Sequence, residues 1–330
     1  MNKNNQHSRI NLNNSLMKAL RAVNSLSGKS AEDTDLKNHR KTLERAGRLA
    51  SPKGSVSIRR FKVGNIPCEM IKPDFAHNPQ YAILYAHGGG YISGGLFFAR
   101  ILAAKMAIAT GFTTYSFEYR LAPENPYPAA LDDGIAVWEY LTKSRYTPDH
   151  IILAGDSAGG NMILRITQEL LESGKPVPRC LLMFSPWTDM TGTSGSYEEM
   201  KNLDPVLTKK YIVDAANAYI SGAGDPSDPR FSPLYGELAG LPPVFIMAGR
   251  NEILLDDSIR LRDGILQAGG SAELDIEEDG WHVYQQMPVP MAKRAMKRLS
   301  DYICSEIYGA KPQNRPNQSN YNSFETKQNQ

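Results

Sequence analysis

The stretch "IILAGDSAGGN" at residues 151–161 constrains this chain more than any other. Strand-forming aliphatics lead into Ser157, which is walled in by Gly155, Ala158 and Gly159 before a helical segment begins. A serine on a sharp strand-to-helix turn needs such neighbours, because bulkier side chains would collide with the strand or the helix. A glycine-rich helix cap with an idle N-cap serine would read the same way. The rest of the chain has to decide between them.

From residue 55 onward, short β-rich runs alternate with helical ones. "SVSIRRFKV" and "IPCEMIKP" read as an opening antiparallel pair. "QYAILYAHGGG", "FTTYSFEYR", "HIILAGDS", "CLLMFSPW", "PPVFIMAGR" and "AELDIEED" follow as strands, most of them separated by helical segments. Near-continuous apolar strands between helices imply a mostly parallel sheet covered on both faces. In that architecture the functional loops gather at the carboxyl ends of the strands. The expected fold class is therefore α/β, with about eight strands flanked by helices.

One interval breaks the alternation. Residues 191–240 carry many Gly, Pro, Ser and Asp residues around one helical stretch, "TKKYIVDAANAYI". An insertion of this kind lies over a sheet's functional edge. Near the N-terminus, Leu12, Leu16, Ala19, Leu20, Val23 and Leu26 recur at helical spacing, and a second helix follows Asp33 and ends before Ser51-Pro52. The expected organisation is an N-terminal helical cap segment over 1–54, core over 55–190, a cap insertion over 191–225, and core again over 226–308. The polar stretch 309–330, rich in Asn, Gln, Pro and Lys, is expected to stay disordered.

A serine hydroxyl needs a base. In hydrolases built on this elbow the acid and then the histidine follow the serine in the chain. Of six histidines only His282 lies beyond Ser157, in "EEDGWHVY" just after the last expected strand. The acid should come from the loop after the preceding strand, where Glu252 is the first carboxylate. Asp256 is the reserve, although it and Asp257 also suit a helix N-terminus, whose dipole favours negative charge. Attack on a carbonyl further requires fixed N–H donors for the oxyanion. "HGGG" at 87–90 lets successive amides point at one oxygen, which names Gly89, Gly90 and the amide of Ala158. A phosphate cradle would want a Gly-Lys-Ser/Thr ending, which is absent. His87 is expected to organise this loop rather than act as base.

The formal charge of +2 is too small for nucleic-acid binding, and the apolar runs are too short for a membrane span. The N-terminus lacks an apolar signal segment, and three widely spaced cysteines form neither a disulfide framework nor a metal pattern. A cytoplasmic protein with no metal and no organic cofactor is expected.

These motifs together resemble the hormone-sensitive lipase family of α/β-hydrolases, the bacterial carboxylesterases with an HGGG loop. The resemblance covers roughly 80–285 and rests on "HGGGY", "EYRLAPENPYPAALDD", "GDSAGGN", "SPWTDM", "DPRFSPLYGELAGLPP" and "WHVY" in the family's order. It implies an α/β-hydrolase fold with a helical cap, Ser157 as nucleophile, His282 as base, and Gly89, Gly90 and Ala158 as oxyanion donors. The family's acid opens a "DPL-D" stretch; here "EILLD" stands in that place, so Glu252 takes the role. The implied substrate is a small ester with a short or medium acyl chain, in a pocket whose mouth would include Tyr91, Tyr211 and Tyr284. An amide or formamide hydrolase on the same triad, or a non-catalytic ligand-binding protein of the same fold, are the alternatives. The resemblance also admits a homodimer.

Overall fold

A computed structural model describes residues 33–50, 55–74 and 78–309. The expected helix over Leu12–Leu26 and the polar stretch beyond Gly309 lie outside the described residues.

The strands are β1 (Val56–Val63), β2 (Ile66–Pro73), β3 (Ala82–Ala86), β4 (Thr113–Phe117), β5 (Ile151–Asp156), β6 (Cys180–Phe184), β7 (Val244–Gly249) and β8 (Ala272–Glu277). They form one sheet in the order β1-β2-β4-β3-β5-β6-β7-β8. β1 and β2 form the expected antiparallel pair, β2 also runs antiparallel to β4, and all other neighbours are parallel. β3 to β7 are buried along their whole length, which is why they read as apolar runs.

The helices are α1 (Asp33–Ala50), α2 (Leu96–Thr110), α3 (Ala129–Ser144), α4 (Ala158–Glu172), the single turn α5 (Ser196–Glu199), α6 (Lys209–Ile220), α7 (Leu255–Gln267) and α8 (Pro290–Tyr308). Strand residues alternate between two cores, as the two-residue period of a strand requires. Ile151 and Leu153 join α3 and α4 residues such as Trp138 and Met162 on one face. Ile152 and Ala154 join α2 and α8 residues such as Leu102 and Leu299 on the other.

Strand register places the functional loops. Ala86 pairs with Gly155, Asp156 with Phe184, and Phe184 with Met247, so β3, β5, β6 and β7 end side by side. The next residues along each strand are the HGGG loop, Ser157, Ser185 and the Glu252 loop. Non-glycine residues with positive φ stand in the loops leaving β3, β5, β6 and β8: Tyr91 (62°), Ser157 (52°), Ser185 (46°) and Val283 (49°). Such backbone persists only where the surroundings hold it, and it concentrates at functional sites.

Candidate active site

Ser157 sits at the turn from β5 into α4, its amide donating to the Phe184 carbonyl at 2.9 Å. A Cβ on Gly159 would collide with the Ala86 carbonyl oxygen, and one on Gly155 with the backbone of Gly159. The glycines of the opening motif are thus required by backbone pressed on backbone.

Ser157, His282, Gly89 and Gly90 line one cavity of about 200 Å³. Gly89 and Gly90 take φ values of 109° and 63°, and their amides and that of Ala158 go to no carbonyl or side chain among the described residues. The Gly88 amide is not available, because it donates to Asp156 Oδ1 at 2.9 Å. Asp156 also accepts from the Tyr85 hydroxyl and from Gln286 Nε2. One carboxylate therefore ties the HGGG loop, β3 and the segment beyond His282 to the residue before Ser157. His87 donates through Nδ1 to the Gly88 carbonyl at 2.7 Å and stacks on Tyr119, and burial lowers it to about 4. It is a neutral brace for the glycines.

Glu252 is fully buried behind the cavity. Its Oε2 accepts from the Gly249 amide at 2.9 Å and from the Ser185 hydroxyl at 2.7 Å. The same Ser185 oxygen accepts from the Val283 amide at 3.1 Å, so one hydroxyl joins the Glu252 loop to the residue after His282. Glu252 Oε1 and His282 Nδ1 are both buried with no partner among the described residues. Burial pushes Glu252 up to about 8, against the two donors on Oε2, and draws His282 down. The neutral imidazole that results is the form able to take a proton from serine.

Asp256, the reserve acid, is engaged elsewhere: its Oδ2 accepts from the Ser196 amide at 2.9 Å. Asp257 holds the amides of Thr188 and Asp189 after β6. Of the three mouth tyrosines, only Tyr211 lines the cavity. Tyr91 is buried, stacks on Tyr219 with ring centres 3.8 Å apart, and donates to Asn161 Oδ1. Tyr284 is fully buried and its hydroxyl accepts from Arg298 Nη2. Both expectations are corrected, because the strained turns at Tyr91 and Val283 lead those rings into packed core. Sequence reading missed His39 and Leu43 of α1, Phe98 of α2 and Pro205–Leu207, which line the cavity. It also missed Ser185, for which "SPW" held no signal beyond a strand end.

An α/β hydrolase fold family matches residues 83–286, most of the described core. The chain belongs to this family, in its hormone-sensitive lipase group. The hydrolase is 33% identical to an acetyl-hydrolase of Streptomyces hygroscopicus over 79% of its own length and 85% of the relative's. It is 32% identical to an esterase of Acinetobacter venetianus, covering 81% and 88%. A solved esterase from the bacterial hormone-sensitive lipase family superposes with a TM-score of 0.83 at 31% identity, covering 89% of this chain and 98% of the other. No helix among the described residues of the hydrolase is long and apolar enough to cross a membrane.

Proposed function

We propose that Ser157, His282 and Glu252 form a triad that hydrolyses short- to medium-chain acyl esters through an acyl-serine. The chain is an ester hydrolase of the hormone-sensitive lipase group, with esterase relatives over most of its length. What carries the finer reading is the pair of unpartnered atoms behind the cavity. Buried polar atoms are nearly always paired. An imidazole Nδ1–H without an acceptor and a carboxyl oxygen without a donor, on the loops after neighbouring strands, are complementary, and a small approach of the two loops would pair them.

In the first half-reaction Ser157 Oγ attacks the ester carbonyl while His282 Nε2 takes its proton. Glu252 holds the imidazole tautomer and stabilises the imidazolium. The oxyanion receives the open amides of Gly89, Gly90 and Ala158, each donor worth roughly 3–4 kcal/mol to the transition state. His282 then gives its proton to the departing alkoxide, leaving an acyl-serine. In the second half-reaction water, deprotonated by His282, releases the carboxylic acid and restores Ser157.

Cavity size supports the substrate class. About 200 Å³ lies below the roughly 300–1,000 Å³ of pockets that take drug-sized ligands. Leu43, Phe98, Leu207 and Ile212 make its walls apolar, as an acyl chain requires. We assign the cap role to α1 and to 191–225, since His39 and Leu43 of α1 and the stretch into α6 line the cavity; the rest of 1–54 lies outside the described residues. The test is turnover of p-nitrophenyl esters of increasing acyl length by the protein and by Ser157→Ala. We expect rates that peak at short chains and a loss of at least about 10⁴-fold in the variant. Equal background rates in both would overturn the reading.

A further inference from the structure

We propose that Lys105 is a positioning residue for the base, its ammonium clamping the loop that carries His282. The inference rests on the reading of His282 as the base of Ser157.

Lys105 stands inside α2, far in sequence from any catalytic motif. Its Nζ donates to three successive carbonyls: Gln285 at 2.7 Å, Gln286 at 2.9 Å and Met287 at 2.9 Å. Three hydrogen bonds are the full donor complement of an ammonium. All three go to the segment three to five residues beyond His282, and charged donors make the stronger bonds. Burial draws the lysine down to about 8, so it remains a cation at neutral pH.

The segment it grips needs holding. It opens with Val283 at a φ of 49° and closes into a tight turn over Tyr284–Gln286. A β-branched residue in that conformation is strained. At the near end the Val283 amide is fixed by Ser185 Oγ, and at the far end Lys105 fixes the carbonyls. Gln286 transmits the grip toward the chemistry, because its Nε2 reaches Asp156 Oδ2, next to Ser157, at 3.3 Å. Lys105 itself does not line the cavity, so it acts through the loop. Without the cation the turn carbonyls lose their donor, and the loop can relax and carry the imidazole with it. A displacement near 1 Å at a reacting group costs about 10²-fold in rate.

The experiment compares the full chain with Lys105→Met and Lys105→Arg on p-nitrophenyl acetate, with Ser157 labelling by a fluorophosphonate as a second rate. We expect Lys105→Met to lower kcat by about 10- to 100-fold with KM nearly unchanged, and to slow labelling equally. Lys105→Arg should recover most of the loss, since a guanidinium also donates to several carbonyls. Should Lys105→Met not fold, Lys105→Gln is measured in its place, with the same fall in kcat expected. A kcat within about twofold of the parent, a loss confined to KM, or an equal loss in the Met and Arg variants would overturn the clamp. His282→Ala is the control that separates the two claims. Turnover that survives it removes the triad reading, and the clamp with it, whereas its loss beside an indifferent Lys105 removes the clamp alone.

Discussion

The floor of the cavity and its roof are held by different physical means. The floor is made of loops leaving β3, β5, β6 and β8, strained in backbone and pinned by buried hydrogen bonds through Asp156 and Ser185 and half-buried ones through Lys105. The roof rests on the surface of the sheet domain. Arg40 of α1 forms a two-pronged pair with Glu124 at 2.8 Å, and it donates to the carbonyls of Ile92 and Ala122 at 2.7 Å. The Arg40 and Glu124 side chains are 19% and 44% exposed, so solvent screens their attraction. Glu44 accepts from the Phe97 and Phe98 amides at the start of α2. Groups that react must be placed to fractions of an ångström, and buried, fully bonded loops do that. A wall that admits different acyl chains gains from weaker attachment.

The largest effect should fall on the floor. Glu252→Gln keeps the shape but removes the ionisable carboxyl that orients the imidazole and can take up charge opposite the imidazolium, and kcat should fall about 10³- to 10⁴-fold with KM little changed. Asp256→Asn, one helical turn away, should stay within about threefold of the parent. Steady-state kinetics of the two variants decide which carboxylate acts, and reversed results would move the acid to Asp256.

The pH profile tests how dry the floor is. Burial draws His282 from 6.5 down to about 3, and the neutral imidazole is the working form. Activity should therefore persist as pH falls through 6.5 and drop about one decade per unit only below the lowered value. The sign for stability is the same. The unfolded chain binds this proton more readily, so the contribution present above pH 6.5 is lost as pH falls toward about 3. Thermal midpoints taken alongside the rates keep unfolding from being read as titration. An acid limb at the ordinary histidine value would mean that water reaches the imidazole freely.

The smallest effect belongs to the roof. Arg40→Ala should raise KM a fewfold for longer acyl chains and leave kcat for acetate esters unchanged, with stability lost at about 1 kcal/mol from the ion pair. A fall in kcat on every ester would show that α1 takes part in placing the floor, and the contrast between the two regions would fail.

The sequence made the floor's chemistry readable more fully than its support. Buried parallel strands must be apolar runs, so β3 to β7 were legible, and chain order left His282 as the one histidine able to follow Ser157. Glu252 was named from its place after β7. Two of the three tyrosines stand away from the cavity for a physical reason: an aromatic near a motif does not reveal which side of a strained turn it leaves by. Tyr91 and Tyr284 leave into the core. Lys105 was invisible because it acts on backbone atoms 180 or more residues away, and Ser185 because its partners, the Glu252 carboxyl and the Val283 amide, lie 67 and 98 residues away and write no local pattern. Asp256 stood in reserve behind Glu252, and the structure separates them: Glu252 is fully buried on Gly249 and Ser185, while Asp256 holds the Ser196 amide.

Nucleophilic catalysis requires Ser157 to carry the acyl group between two half-reactions. Rapid acid quench of the protein with excess p-nitrophenyl acetate, followed by peptide mass analysis, addresses this directly. One acetyl should be added to the peptide containing Ser157, formed with a burst of p-nitrophenol, and absent from Ser157→Ala. Steady turnover with no acyl group on that peptide, or with the group on another residue, would contradict it.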